Sequence, residues 1–402
     1  MKINYSELIS STSKYAFAEI GKKVQELKNQ GIKVIDFGVG DPKSPTPDFV
    51  IDNLSKCARN RATDGYPSYI GDIDYRRACA KYMQREYGIK LNPDTEIVST
   101  IGSKEAIFNF PIGFINPGDT VICPTPSYPP YKVGTRFRGG KVHFTPLFEK
   151  NNFLIDFSSI PDDIADKAKI IWTNYPNSPT GITAPKEWLQ ELVSWANRYN
   201  IIIAADEGCY NDIYFGNKPT SIFEIQREGV IAFYSLSKRS NMTGYRVGFA
   251  CGDEKIISGF KRIKNNIDSG TPTFIQDVAI LALEDQNFIA NTREEYRRKR
   301  DIMIDALTAK GLEKPKGDAT FYLWQKTPKG VDSMEFANTL VELGIVVTPG
   351  QLISDEANGV NPGQNFVRFA LVPTMEEVVK AAKRIKEDSK IRVGISKCKI
   401  SI

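Results

Sequence analysis

The stretch Val230-Ile-Ala-Phe-Tyr234-Ser235-Leu-Ser-Lys238-Arg-Ser-Asn-Met-Thr-Gly-Tyr-Arg246 opens with five apolar residues and runs on into hydroxyls, a lysine and two arginines. A short apolar run of this kind reads as a strand covered on both faces. Val34–Phe37, Thr120–Cys123, Lys169–Thr173, Ile201–Ala205 and Val247–Ala250 read the same way. Helix-like segments lie between many of them. Ser103 to Phe114 is one, and Pro185 to Tyr199 is another, with Pro185 near its first turn. The alternation predicts an α/β fold with a large, doubly wound, mostly parallel sheet.

Beyond this region the texture changes. Ile275 to Leu307 is rich in helix formers and charge, Ala319–Trp324, Gly344–Val347 and Phe366–Ala370 read as strands, and a final helix runs from about Met375 to Lys386. That α+β pattern predicts a smaller second domain. The expected division is an N-terminal segment (1–44) joining the small domain, a large domain (45–290) and the small C-terminal domain (291–402). A chain of 402 residues suits two domains of roughly 100–200 residues each.

Composition removes several classes of function. The hydrophobic fraction is 41%, the charged fraction 25%, and the net charge only +5, which asks for neither nucleic acid nor an anionic membrane. No apolar stretch approaches the ~18–20 residues of a membrane span. The N-terminal run Met1–Glu7 lacks an apolar signal core, and the six cysteines contain no C-x-x-C pair, so a cytoplasmic protein with reduced thiols is expected. The one histidine, His143, sits in a strand-like run and reads as structural or exposed. With a single histidine, zinc hydrolase and Ser-His-Asp chemistry are disfavoured. No metal is expected.

Four pieces carry potential chemistry. Lys238 falls just past the carboxyl end of a strand, where open α/β sheets bind ligands. Hydroxyls and arginines around it suggest an anion site beside an amine nucleophile. The alternative is a surface lysine on a basic loop. Ile97-Val-Ser-Thr-Ile-Gly102-Ser103-Lys104 is a strand that runs into a helix start, which offers N–H groups to a phosphate or is simply capped. Asn174-Tyr-Pro176-Asn177-Ser178-Pro179-Thr180-Gly181 is a rigid turn after a strand. Ile201-Ile-Ile-Ala-Ala205-Asp206-Glu207 is a buried strand with acids at its mouth, where a carboxylate needs a cation or a protonated ring.

As an ordered set, these pieces resemble fold-type I pyridoxal-phosphate enzymes, specifically the class I and II aminotransferases, from about Ala16 to Ile385. The marks are S-L-S-K-x-x-x-M-T-G-Y-R, P-N-S-P-T-G, the strand-end acid and the late F-V-R-F. The resemblance implies pyridoxal 5'-phosphate as cofactor and a transfer of amino groups between an amino acid and a 2-oxo acid. Lys238 would hold the cofactor covalently and shuttle a proton. Arg246, Ser235, Gly102, Ser103 and Lys104 would take its phosphate. Tyr128 would stack on its ring, and Tyr210 would meet its hydroxyl. Asp206 would keep its ring nitrogen protonated. Arg368 would grip the substrate carboxylate as a bidentate pair, with Gly40 beside it and Tyr15 on the substrate side. Tyr66 would reach the phosphate of a partner subunit in a homodimer.

Two places depart from the family pattern. Ser178 stands where the family places Asn, and Asn177 precedes it, so either is a candidate for the cofactor. Tyr210 follows Asp206 by four residues rather than three. A bulge at Gly208 would restore its alignment, and neighbours on a strand face opposite ways, so only one of Asp206 and Glu207 can meet the pyridine, with Asp206 the expected partner. Within the family, the chain looks most like the branch of LL-diaminopimelate and N-succinyl-diaminopimelate aminotransferases. Aspartate, aromatic and kynurenine branches share the frame, as do C–S lyases. A non-catalytic pyridoxal-phosphate-binding protein is the remaining alternative. A nicotinamide fingerprint fails, because Lys43 holds the third glycine position and Pro42 intrudes.

Overall fold

The computed structural model describes residues 3–11, 16–208, 210–389 and 391. Its strands, in chain order, are β1 (Ile35–Asp36), β2 (Ile97–Thr100), β3 (Thr120–Thr125), β4 (Lys141–Pro146), β5 (Ala168–Thr173), β6 (Ile202–Gly208), β7 (Val230–Ser235), β8 (Gly248–Gly252), β9 (Tyr322–Lys326), β10 (Ile345–Val346), β11 (Thr348–Pro349) and β12 (Phe366–Ala370). Seven of them form one sheet in the order β2-β8-β7-β6-β5-β3-β4. Only β8 runs against its neighbours. The other neighbouring pairs are parallel. The expected α/β fold with its large, mostly parallel sheet is therefore present.

Period-two alternation explains why the strands read as continuously apolar. Val230, Ala232 and Tyr234 of β7 enter one core layer, and Ile231 and Phe233 enter the other. Helices cover both layers, so each side chain is buried and contributes roughly 1.5–3 kcal/mol when large and apolar. The helix Lys186–Arg198 begins after Pro185 and buries Trp188, Leu189, Leu192, Val193 and Ala196. Asp48–Asn60 and Ile73–Tyr87 pack against Thr273–Glu284.

A second core gathers around the antiparallel sheet β11-β12-β9. Phe321, Leu323, Val367 and Phe369 meet Leu307 and Ile385 there. The latter two come from the long helix Asn287–Thr308 and from Met375–Glu387, which Thr374 and Glu377 close with a reciprocal capping box. β1 pairs in parallel with β10, and Ala370 N donates to Phe37 O at 2.8 Å. The N-terminal segment is thus stitched to the C-terminal elements, and the turn that follows β1 is carried over the carboxyl edge of the large sheet. Among the described residues, no helix is long and apolar enough to cross a membrane.

Candidate active site

The carboxyl ends of the parallel strands and the edge of the smaller sheet enclose one cleft of about 430 Å³. Small-molecule sites typically measure ~300–1,000 Å³. From the large sheet it receives Ser103 and Lys104 beyond β2, Tyr128 beyond β3, Asn174 beyond β5 and Asp206 on β6. Ser235, Ser237, Lys238 and Arg246 follow from β7 and the loop after it. The smaller half supplies Gly40, Tyr322 on β9 and Arg368 on β12.

Lys238 sits in the short helix Leu236–Arg239, which Ser235 caps by accepting from Ser237 N at 3.2 Å. Its Nζ crosses to the other half and donates to the Gly40 carbonyl at 2.6 Å. Arg368 makes the parallel contact, its Nη2 donating to the Gly38 carbonyl at 2.9 Å and to Thr348 Oγ1 at 3.3 Å. Two cations from different sheets thus converge on one three-residue turn.

Arg246 and Gly102 build the anion cradle. Gly102 has φ +71°, which suits glycine, and a Cβ there would run into the Arg246 guanidinium. Arg246 is itself left-handed at φ 52°. Its Nη1 donates to Thr243 O at 2.9 Å and to Ser237 Oγ at 3.4 Å, and its Nη2 donates to Ile101 O at 3.3 Å. The guanidinium is thereby held against the N-terminus of the helix Gly102–Asn109. A helix N-terminus, an arginine and the hydroxyls of Ser103, Ser235 and Ser237 form a donor set suited to a dianionic phosphate.

The two acids of β6 diverge. Asp206 shares a face with Ala204 and accepts from the Tyr131 hydroxyl at 2.7 Å. Glu207 faces the other layer, where Ser221 Oγ, Tyr234 Oη and Ile222 N donate to it at 2.8, 2.9 and 2.6 Å. Burial pushes its carboxyl up to about 7. The register changes between Ala205 and Gly208, where three steps on β6 match two on β7. The extra residue is a bulge, and Gly208 tolerates it because Tyr234 fills the place of a Cβ. Beyond it, Tyr210 lines the cleft and donates to Tyr322 Oη at 3.3 Å.

Two of the described candidate residues do not face the cleft. Asn177 is 1% exposed and faces its own turn, donating to Asn174 O at 3.0 Å and accepting from Thr180 Oγ1 at 2.7 Å. Ser178 and Asn174 line the cleft instead. Asn174 accepts from Ser178 N at 2.8 Å and donates to the Asp206 carbonyl at 2.6 Å. Tyr66 is 94% exposed and does not line this cleft. Tyr15 lies outside the described residues. His143 is on β4, away from the cleft, with its imidazole held below the usual range by burial.

A family model for aminotransferase class I and II matches residues 32–385. The chain belongs to the class I and II aminotransferases. It is 44% identical over 388 residues to the LL-diaminopimelate aminotransferase of Aquifex aeolicus, covering 95% of this chain and 98% of that protein. An aminotransferase structure from Neisseria meningitidis superposes with a TM-score of 0.88 at 31% identity, over 95% of this chain and 99% of that one. A Thermus thermophilus structure described as a probable N-succinyldiaminopimelate aminotransferase gives 0.84 at 29% identity, over 92% and 99%.

This aminotransferase is pyridoxal-phosphate dependent, as its family is. Its cleft fits that cofactor. The anion cradle at Gly102 and Arg246 matches a phosphate, Lys238 offers an amine, and Asp206 offers a carboxylate within the same space. Sequence reasoning passed over Asn174, Ser237, Thr243, Val39 and Tyr322, all of which line the cleft. Ser237 and Asn174 stood inside the quoted motifs. Tyr322 had no local signal, because its place depends on the pairing of β9 with β12.

Proposed function

We propose that this aminotransferase takes the amino group of LL-diaminopimelate and passes it to a 2-oxo acid such as 2-oxoglutarate. The observation that carries the substrate is the 44% identity, over nearly all of both chains, to an enzyme of that name. The N-succinyl relative is more distant, at 29%.

When bound, pyridoxal phosphate supplies an electron sink for the substrate Cα. The chain's own residues do the rest. Lys238 would hold the cofactor through Nζ, and its amine would be the base that moves the Cα proton. Asp206 would keep a proton on the ring nitrogen, and its burial would strengthen that pairing. Tyr210 and Ser178 would meet the ring hydroxyl and Tyr128 would stack on the ring, while Asn174 fixes the backbone of Asp206. Arg246, Ser103, Lys104, Ser235 and Ser237 would take the phosphate. Arg368 takes the substrate carboxylate at a position set by Gly38 and Thr348, with the Gly40 backbone beside it.

A homodimer is part of the proposal. Tyr66 is almost fully exposed and outside its own cleft, which suits a side chain that completes a partner's phosphate site. The cytoplasm is the proposed location, consistent with Cys57, Cys79, Cys123 and Cys251 being unbridged.

Product analysis tests the function. Incubation with LL-diaminopimelate and 2-oxoglutarate should yield glutamate and an oxo acid in equal amounts, at higher kcat/KM than with aspartate, aromatic amino acids or N-succinyl-diaminopimelate. Release of ammonia and thiol from a cysteine-type substrate, without glutamate, would instead mark a C–S lyase.

A further inference from the structure

Tyr131 belongs to none of the expected site positions. It lies in the helix Pro130–Phe137, fully buried, and its hydroxyl donates to Asp206 Oδ2 at 2.7 Å. Trp172, also fully buried, stacks on it with ring centroids 4.7 Å apart and planes 10° from parallel. Its edge meets the Tyr128 ring, with centroids 5.9 Å apart. The phenol therefore has one place to be. Asn174 grips the Asp206 main chain at the same time, donating to its carbonyl at 2.6 Å.

We infer that Tyr131 is a positioning residue that keeps the Asp206 carboxylate ionised and aimed, and so governs how firmly the chain protonates the cofactor ring. The inference rests on Asp206 being the ring-nitrogen partner. A phenol O–H donated to a carboxylate favours its charged form. Trp172 makes the donor rigid, so no rotamer entropy is spent in forming the bond. Without the donor, a buried Asp206 accepts a proton more readily and the ring nitrogen holds its own less firmly. The ring then withdraws less charge, and the nitrogen joining Lys238 to the cofactor becomes more basic. The other titratable groups lining the cleft are Lys104, Tyr128, Tyr210, Lys238, Arg246, Tyr322 and Arg368, while Glu207 faces the opposite layer.

The test uses the holoenzymes of Tyr131→Phe, Asp206→Asn and the double variant. Phenylalanine keeps the stacking on Trp172 and removes only the hydroxyl. In Tyr131→Phe, the pH midpoint of the visible absorbance should move upward by roughly half a unit or more, and cofactor should leave on dilution about tenfold faster. In the Asp206→Asn background, the same substitution should change neither quantity, because the charge it supports is gone. An unchanged midpoint and release rate in Tyr131→Phe would overturn the inference while leaving the Lys238 assignment intact. So would equal effects in both backgrounds, which mean packing alone. A wild-type holoenzyme with no visible band tied to Lys238 would remove the parent reading, and this one with it.

Discussion

The guanidinium of Arg368 lies over the ring of Tyr322, 4.5 Å from its centroid. The two residues sit diagonally on one face of the smaller sheet, since Arg368 pairs with Trp324 and Ala370 pairs with Tyr322. The Tyr322 hydroxyl packs on Gly40, where a Cβ would have no room, and receives the Tyr210 hydroxyl. One side chain therefore braces the proposed carboxylate arginine and touches the proposed ring-hydroxyl tyrosine.

Replacing Arg368 by Lys keeps the charge and loses the planar fork. We expect kcat/KM for both the amino acid and the oxo acid to fall roughly 100-fold, or about 3 kcal/mol, in steady-state assays. Tyr322→Leu should raise KM by about tenfold through a mobile Arg368, while Tyr322→Phe keeps the ring beneath Arg368 and should change KM little.

Gly102→Ala places a methyl against Arg246 in a left-handed conformation that costs ~1–2 kcal/mol. The holoprotein should lose cofactor about tenfold faster than wild type when release is followed by absorbance. Unchanged release would mean that the cradle at Gly102 and Arg246 does not hold the phosphate.

Glu207 makes stability depend on pH in a defined direction. Its folded value is raised from 4.5 to about 7 by burial, with Glu224 adding to the rise. Between those values the folded chain keeps a proton that the unfolded chain has released. Its contribution is complete below the unfolded value and is lost as pH rises through about 7, a total of about 3 kcal/mol. Urea unfolding from pH 5 to 8 should show this decline in wild type and a flatter profile in Glu207→Gln.

Arg239, next to Lys238, is buried with Asp212, its Nε donating to Oδ2 at 2.8 Å. Tyr82 donates to the same oxygen at 3.0 Å. Arg239→Ala would strand that carboxylate, so urea unfolding should show a loss of about 3–5 kcal/mol.

Much of this site was legible because its residues follow strands that bury both faces. Asp206, Ser235 and Lys238 come directly after such runs, so the sheet sets their place. The bulge at Gly208 was legible from the four-residue spacing to Tyr210. The direction of β8 was not, since an apolar run such as Val247–Ala250 carries no sense of direction. Asn177 also misled, because its neighbouring prolines fix a turn whose interior needs that amide, which leaves Asn174 and Ser178 for the cleft. Tyr131 and Tyr322 were hidden for a common reason. Each acts across elements far apart in sequence, and only the packed sheets bring it to its partner.

The most direct measurement is a single-turnover absorbance titration of the purified holoenzyme, run on wild type and on Lys238→Ala. In wild type, LL-diaminopimelate should discharge the visible band of the lysine-linked cofactor, and 2-oxoglutarate should restore it. Lys238→Ala should show neither that band nor turnover. A Lys238→Ala protein that keeps both would contradict the account.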